Sequence, residues 1–168
     1  TGEANVASGN ASLYQNTTGN SNSAFGVGSL FLNNTGSYNT ASGRDALVSN
    51  RAGSNATAIG ANAMFYANNT VTPYISANVA IGFEALRGSF NPDVNTGNFN
   101  TASGYQTLFQ NASGSYNVAG GYQSLYNNSI GSYNTASGVQ SLFSNTTGNF
   151  NSAFGYKAIY SNTEGSYN

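Results

Sequence analysis

Residues able to do acid–base or nucleophilic chemistry are scarce in this chain. Its 168 residues include five acids and four bases, with no His and no Cys. General acid–base catalysis wants His or a pair of carboxylates. Glu84 and Asp93 are the nearest pair in adjoining stretches, and a glycosidase would need its two carboxyls about 5 to 9.5 Å apart. The many serines lack a base to activate them. No catalytic set can be assembled, so the expectation is a chain that is not an enzyme and uses no cofactor. Without cysteine there is no disulfide framework and no thiolate zinc site. Calcium-binding solenoid repeats carry an Asp in every unit, which this chain does not, so no metal ligand set is expected. A net charge of −1 offers nothing to hold nucleic acid or an anionic membrane. No apolar run approaches the ~20 residues that span a bilayer, and no signal peptide is visible.

The chemistry left to this chain is contact chemistry, carried by 12 Tyr, 10 Phe and many amides. An internal repeat positions them. Aligned on Asn-x-Ala-x-Gly, units start at Asn5, Asn22, Asn39, Ala56, Asn78, Asn100, Asn117, Asn134 and Asn151, in steps of 17 or 22 residues. The third position is Ala and the fifth Gly in all nine units, the ninth is Leu, Met or Ile, and the fifteenth is Gly in eight once the five extra residues of the fifth unit are passed over to Gly97. A unit of this length is too short for a helix pair, and Gly, Asn, Ser and Thr favour turns. The expected fold is all-β: a parallel β-solenoid, or β-roll, of nine coils of 17 to 22 residues. Positions 1 to 5 are expected as one strand and positions 8 to 10 as a second. The "NTTG" segment is expected as a turn whose Gly takes positive φ. A rise of about 4.8 Å per coil makes a rod of roughly 43 Å. Ala and Gly should face the thin interior, Leu should fill it, and the first-position Asn should stack as an amide ladder.

Nineteen of the aromatics fall in four columns, at positions 4, 6, 10 and 17. Columns pointing away from a filled interior leave apolar stripes larger than a monomer usually exposes. Closed symmetry is the usual way to bury them, so a homo-oligomer is expected. Its candidate interface residues are Phe25, Ile59, Ile81 and Phe154 from position 4, Phe31, Phe109 and Phe143 from position 10, and Tyr116 and Tyr133 from position 17.

"ATAIG" at Ala56 to Gly60 and "NVAIG" at Asn78 to Gly82 resemble the head repeat of trimeric autotransporter adhesins, the YadA-like head. The units are also similar to repeats in phage and phage-like tail fibres. The resemblance runs through the whole chain at the level of the unit, although that family's usual unit is shorter. It implies a left-handed roll, three chains per head, and a place on a cell surface or in a phage tail.

Units 4 and 5 each carry five extra residues, in 66–77 and 87–97. These stretches hold both prolines and the three aromatics outside the columns, Tyr66, Tyr74 and Phe90. Two readings stand: insertions tolerated in loops, or a stiffened platform that binds a ligand through Tyr66, Tyr74, Phe90, Arg87 and Asp93. The chain starts and stops inside its own pattern, so residues 1–168 are expected as one β-roll domain cut from a longer fibre. The expected function is a homotrimeric adhesin head or shaft segment that contacts a cell-surface glycan or protein receptor. A phage-type tail fibre is the alternative in the same class, and an ice-binding solenoid, suggested by Thr40, Thr57, Thr101 and Thr135, is the alternative in another.

Overall fold

The computed structural model describes residues 2–168. The chain winds as a parallel β-solenoid. Its nine-stranded sheet is built from β1 (Val6–Ser8), β2 (Ser23–Phe25), β3 (Thr40–Ser42), β5 (Thr57–Ile59), β7 (Val79–Ile81), β8 (Thr101–Ser103), β9 (Val118–Gly120), β10 (Thr135–Ser137) and β11 (Ser152–Phe154). The strands follow chain order and are parallel and in register, so Ala24 pairs with Ala41 and Ala41 with Ala58. A two-strand pair, β4 (Gly53–Ser54) with β6 (Tyr74–Ile75), joins the third and fourth coils. The one helical element among the described residues is a 3-10 turn, Pro92–Val94. Among the described residues, no helix is long and apolar enough to cross a membrane.

The interior is as thin as the Ala column requires. Ala24, Ala41, Ala58 and Ala80 are wholly buried, as are Leu30, Leu108, Leu125 and Leu142 from position 9. The first-position amides form the expected ladder. The Asn22 Oδ1 accepts from the Asn39 backbone N–H at 3.0 Å, and its Nδ2 donates to the Gly36 carbonyl at 2.9 Å. The buried amides are satisfied in this way: among the described residues, only Thr35 Oγ1 and Arg51 Nε are buried side-chain atoms without a hydrogen-bond partner.

Three expectations fail, each for a physical reason. Positions 8 to 10 are not a strand. The chain turns there, with position 7 and the buried Leu of position 9 both left-handed, as at Gln123 (φ 53°) and Leu125 (φ 50°). Left-handed backbone costs an ordinary residue ~1–2 kcal/mol. Stacking offsets it, because each such Leu N–H donates to the coil above, as from Leu125 to Ser141 O at 2.9 Å. The fifteenth-position Gly is not there for positive φ; the strongly positive φ belongs to the fifth-position Gly, between 112° and 139° in the nine coils. At position 15 the reason is room: a Cβ on Gly114 would lie 2.3 Å from the Gly131 carbonyl oxygen. Finally, the fifth-position Gly does not face the interior. It stacks backbone to backbone on the Gly of the next coil, and a Cβ on Gly43 would meet the Gly60 carbonyl.

Candidate functional site

The regular coils set the rings in stacks. At position 17, Phe99, Tyr116, Tyr133, Phe150 and Tyr167 stack with centroids 4.9 to 5.0 Å apart. At position 10, Phe109, Tyr126, Phe143 and Tyr160 do the same at 4.9 to 5.2 Å. The 4.8 Å coil rise imposes this spacing, and offset parallel rings at such distances attract.

In the fifth coil, position 10 is Arg87. Its planar guanidinium takes the place of a ring, with its carbon 5.9 Å from the Phe65 centroid and 5.1 Å from that of Phe109. It also lies 4.8 Å from the centroids of Tyr66 and Phe90. Glu84 holds it from the side, with Arg87 Nε 3.4 Å from Oε1, and both side chains are only 16% exposed. Glu84 also accepts from Gln106 Nε2 at 2.8 Å, which starts a glutamine ladder through Gln123 and Gln140. Arg suits this place because its flat group stacks on aromatic faces while staying charged.

The two long stretches lie side by side. Tyr66 and Phe90 are in ring contact at 5.3 Å, and Asn95 Nδ2 donates to the Tyr66 carbonyl. Thus Tyr66, Arg87 and Phe90 come together, and Phe90 remains 75% exposed. Asp93 lies exposed in the 3-10 turn, where its N–H donates to Asn91 Oδ1 at 3.1 Å.

Tyr74 points inward instead. Its hydroxyl lies 3.3 Å from both Asn50 Oδ1 and the Asn68 carbonyl oxygen and shares its one proton between them. The cause is a second amide ladder, unremarked in the sequence, at position 12: Asn16, Asn33, Asn50, then Asn111, Asn128, Asn145 and Asn162. Within each of the two runs the Nδ2 donates to the Oδ1 of the preceding coil's Asn, as from Asn50 to Asn33 at 3.1 Å. Ala67 interrupts the column, and the Tyr74 phenol supplies the donor that Asn50 would otherwise lack. Burial pushes this phenol well above its ordinary value of 10.0. The unfolded chain therefore releases the proton near pH 10 while the folded chain keeps it. Stability should fall as pH rises past 10, by up to ~1.4 kcal/mol per pH unit. Tyr74→Phe should lower stability at neutral pH by ~1 kcal/mol and make that alkaline slope shallower, as denaturant melts at pH 7, 10 and 11 would read.

Two spaces border this junction. One, of about 20 Å³, lies among Tyr74, Asn78, Asn95 and Asn111, room for a single water. The other is an open cleft of about 410 Å³, within the range of small-molecule sites. Phe90, Val94, Phe109 and Ile130 supply its apolar lining, and Gln110, Ser113 and Ser129 its polar groups. Most of these belong to regular coils six and seven, so the sequence reading, which looked for a site where the period stretches, missed them. The signal was Phe109, the next ring after Arg87 in its column. No family model matches the chain, and no curated protein or solved structure matches it.

Proposed function

We propose that this chain is a segment of a homotrimeric surface fibre that acts in adhesion or recognition and performs no catalysis. The observation that carries this is the outward face of the nine-stranded sheet. Positions 2 and 4 both point out from it, and Phe25, Ile59, Ile81 and Phe154 are exposed along the position 4 line, with Ile59 at 41%. The stacked Phe99, Tyr116, Tyr133 and Phe150, each about half exposed, begin the next strand edge. With the position 6 rings Phe83, Tyr105 and Tyr122, these give coils five to eight an aromatic margin beside the position 4 line, which runs most of the roughly 40 Å length of the sheet. An area of roughly 800 Å² per copy is what a stable protein interface buries. Identical faces on identical chains close by rotation; three copies and a left-handed roll are the arrangement of the adhesin heads that the units resemble. The half-buried Phe31, Phe109 and Phe143 belong to a separate ring column, and Phe109 lines the cleft. Their stacking ties neighbouring coils together.

A near-neutral, rigid rod placed outside the cell, whether on a bacterial surface or in a phage-type tail, presents its junction of long loops to a glycan or protein receptor. Light scattering of the segment should give the mass of three chains. Ile59→Asp with Ile81→Asp should give one chain with an unchanged circular dichroism spectrum, since neither side chain helps fill the coil. A wild-type monomer at all concentrations would overturn the trimer. One observation favours a second reading: the outward position 2 column is Thr, Ser or Val in every strand, as an ice-binding face would be. Phe25 and Phe154 break its flatness at position 4, and a thermal hysteresis assay separates the two readings.

A further inference from the structure

We infer that the cleft beside Phe90 is a binding site for an uncharged saccharide, with Arg87 as its positioning residue. The inference rests on the reading of the segment as a contact fibre and names the ligand class of that contact. Three features of the cleft define the ligand.

The first is an aromatic face with nothing on it. Phe109 is covered on both faces, by Arg87 at 5.1 Å and by Tyr126 at 4.9 Å, so it offers only an edge. Phe90 is held on one side by the Arg87 guanidinium and leans on Tyr66, yet it is 75% exposed. The free surface of a ring anchored in this way suits the C–H face of a pyranose. The second feature is a set of uncommitted polar groups. Gln106, Gln123 and Gln140 satisfy one another along their ladder, whereas the side chains of Gln110, Ser113 and Ser129 make no hydrogen bond to any described residue. They bring both donors and acceptors, as sugar hydroxyls require. The third is charge. Among the described residues Arg87 is the one charged residue lining the cleft, and Glu84 balances it. An anionic ligand finds no free cation there, and a cationic ligand meets the guanidinium on the very rings it would need. A ligand that is polar, uncharged and apolar on one face remains, and about 410 Å³ holds a short oligosaccharide. One weak site per chain gains from being displayed on three.

The test is a panel of immobilised neutral oligosaccharides ending in glucose, galactose or mannose, with sialylated and sulfated counterparts, probed with the intact segment. At least one neutral glycan should bind and the binding should persist in high salt. Phe90→Ala should weaken it at least tenfold, Phe90→Trp should retain it, and Gln110→Ala should weaken it severalfold, all with unchanged thermal melts. Arg87→Lys keeps the charge but loses the plane that pins Phe90, so it should weaken binding severalfold while leaving the preference among glycans unchanged. Binding confined to sialylated or sulfated glycans, binding indifferent to Phe90→Ala, or no binding at millimolar saccharide would each overturn the inference. The fibre reading fails by a different measurement. A trimer that ignores every saccharide overturns the site alone, and a monomer that binds through Phe90 overturns the trimer alone.

Discussion

Gly43→Ala is expected to destabilise the protein by at least about 4 kcal/mol. Its φ of 138° lies where only Gly is at ease, and an Ala held there carries ~1–3 kcal/mol of strain. The larger cost is steric. The new Cβ would sit 2.5 Å from the carbonyl oxygen and 2.6 Å from the carbonyl carbon of Gly60. These are backbone atoms of the next coil, and they cannot step aside. The Gly43 N–H donates to Phe25 O at 2.8 Å and the Gly60 N–H to Ser42 O at 2.7 Å, so relief means prising β3 from β5 and losing ladder bonds. Gly120→Ala is the control. Gly120 has no positive φ, and within one chain a Cβ there would meet nothing within 4 Å; in the single-chain Ile59→Asp, Ile81→Asp background the change should stay within about 0.5 kcal/mol of neutral. Its neighbour Gly121, at φ 115° with the Gly138 carbonyl 2.8 Å from a Cβ, should behave like Gly43. Denaturant midpoints followed by circular dichroism would read all three. A Gly43→Ala loss below ~1 kcal/mol would mean that the coils slide past one another far more easily than their register implies.

The contrast between Gly120 and Gly121 shows how far the sequence could be read. The period revealed the coil, the parallel sheet and the buried Ala, Leu and Asn columns, because a column that keeps one residue type through nearly all of nine units has to be doing the same thing in each. It could not reveal backbone conformation. "SLF" and "SLY" look like strand because Leu is buried and the ring beside it is not, and a turn with a left-handed Leu gives the same alternation. Leu has no intrinsic liking for that conformation; the inter-coil hydrogen bond that holds it there appears only after stacking. Position 15 misled in the opposite way, since a turn Gly suggests positive φ while the stack demands only the absence of Cβ. The inward Tyr74 was legible in principle. Column 12 loses its Asn at Ala67, and a missing donor asks for a replacement nearby. The cleft was least legible, because Gln110, Ser113 and Ser129 become a wall only once the 3-10 turn at Pro92–Val94 is folded beside them.

That second amide column carries the other large expected effect. Asn128→Leu should cost ~3 to 4 kcal/mol although Leu is similar in shape and far more apolar. Asn128 is wholly buried. Its Nδ2 donates to Asn111 Oδ1 at 2.7 Å and to Gly131 O at 2.9 Å, and its Oδ1 accepts from Asn145 at 2.8 Å. Two of these partners have a second bond: Gly131 O keeps Asn117 Nδ2 at 2.9 Å, and Asn145 Nδ2 keeps Gly148 O at 3.0 Å. Asn111 Oδ1 has no other donor among the described residues. An orphaned buried acceptor costs ~1–3 kcal/mol, and each remaining lost bond ~1 kcal/mol. Against this, burying a Leu side chain contributes ~1.5–3 kcal/mol only where it packs well, and an amide column at one-coil spacing leaves no rotamer with good contacts above and below. The chain supports the sign of this balance, because at Ala67, where the column breaks, Tyr74 bends inward to give Asn50 its donor. Chemical melts of Asn128→Leu beside Asn128→Gln, which keeps the amide but overfills the slot, would test it. A loss under ~1 kcal/mol for Leu would show that the apolar column alone holds the coils and that the amides merely follow.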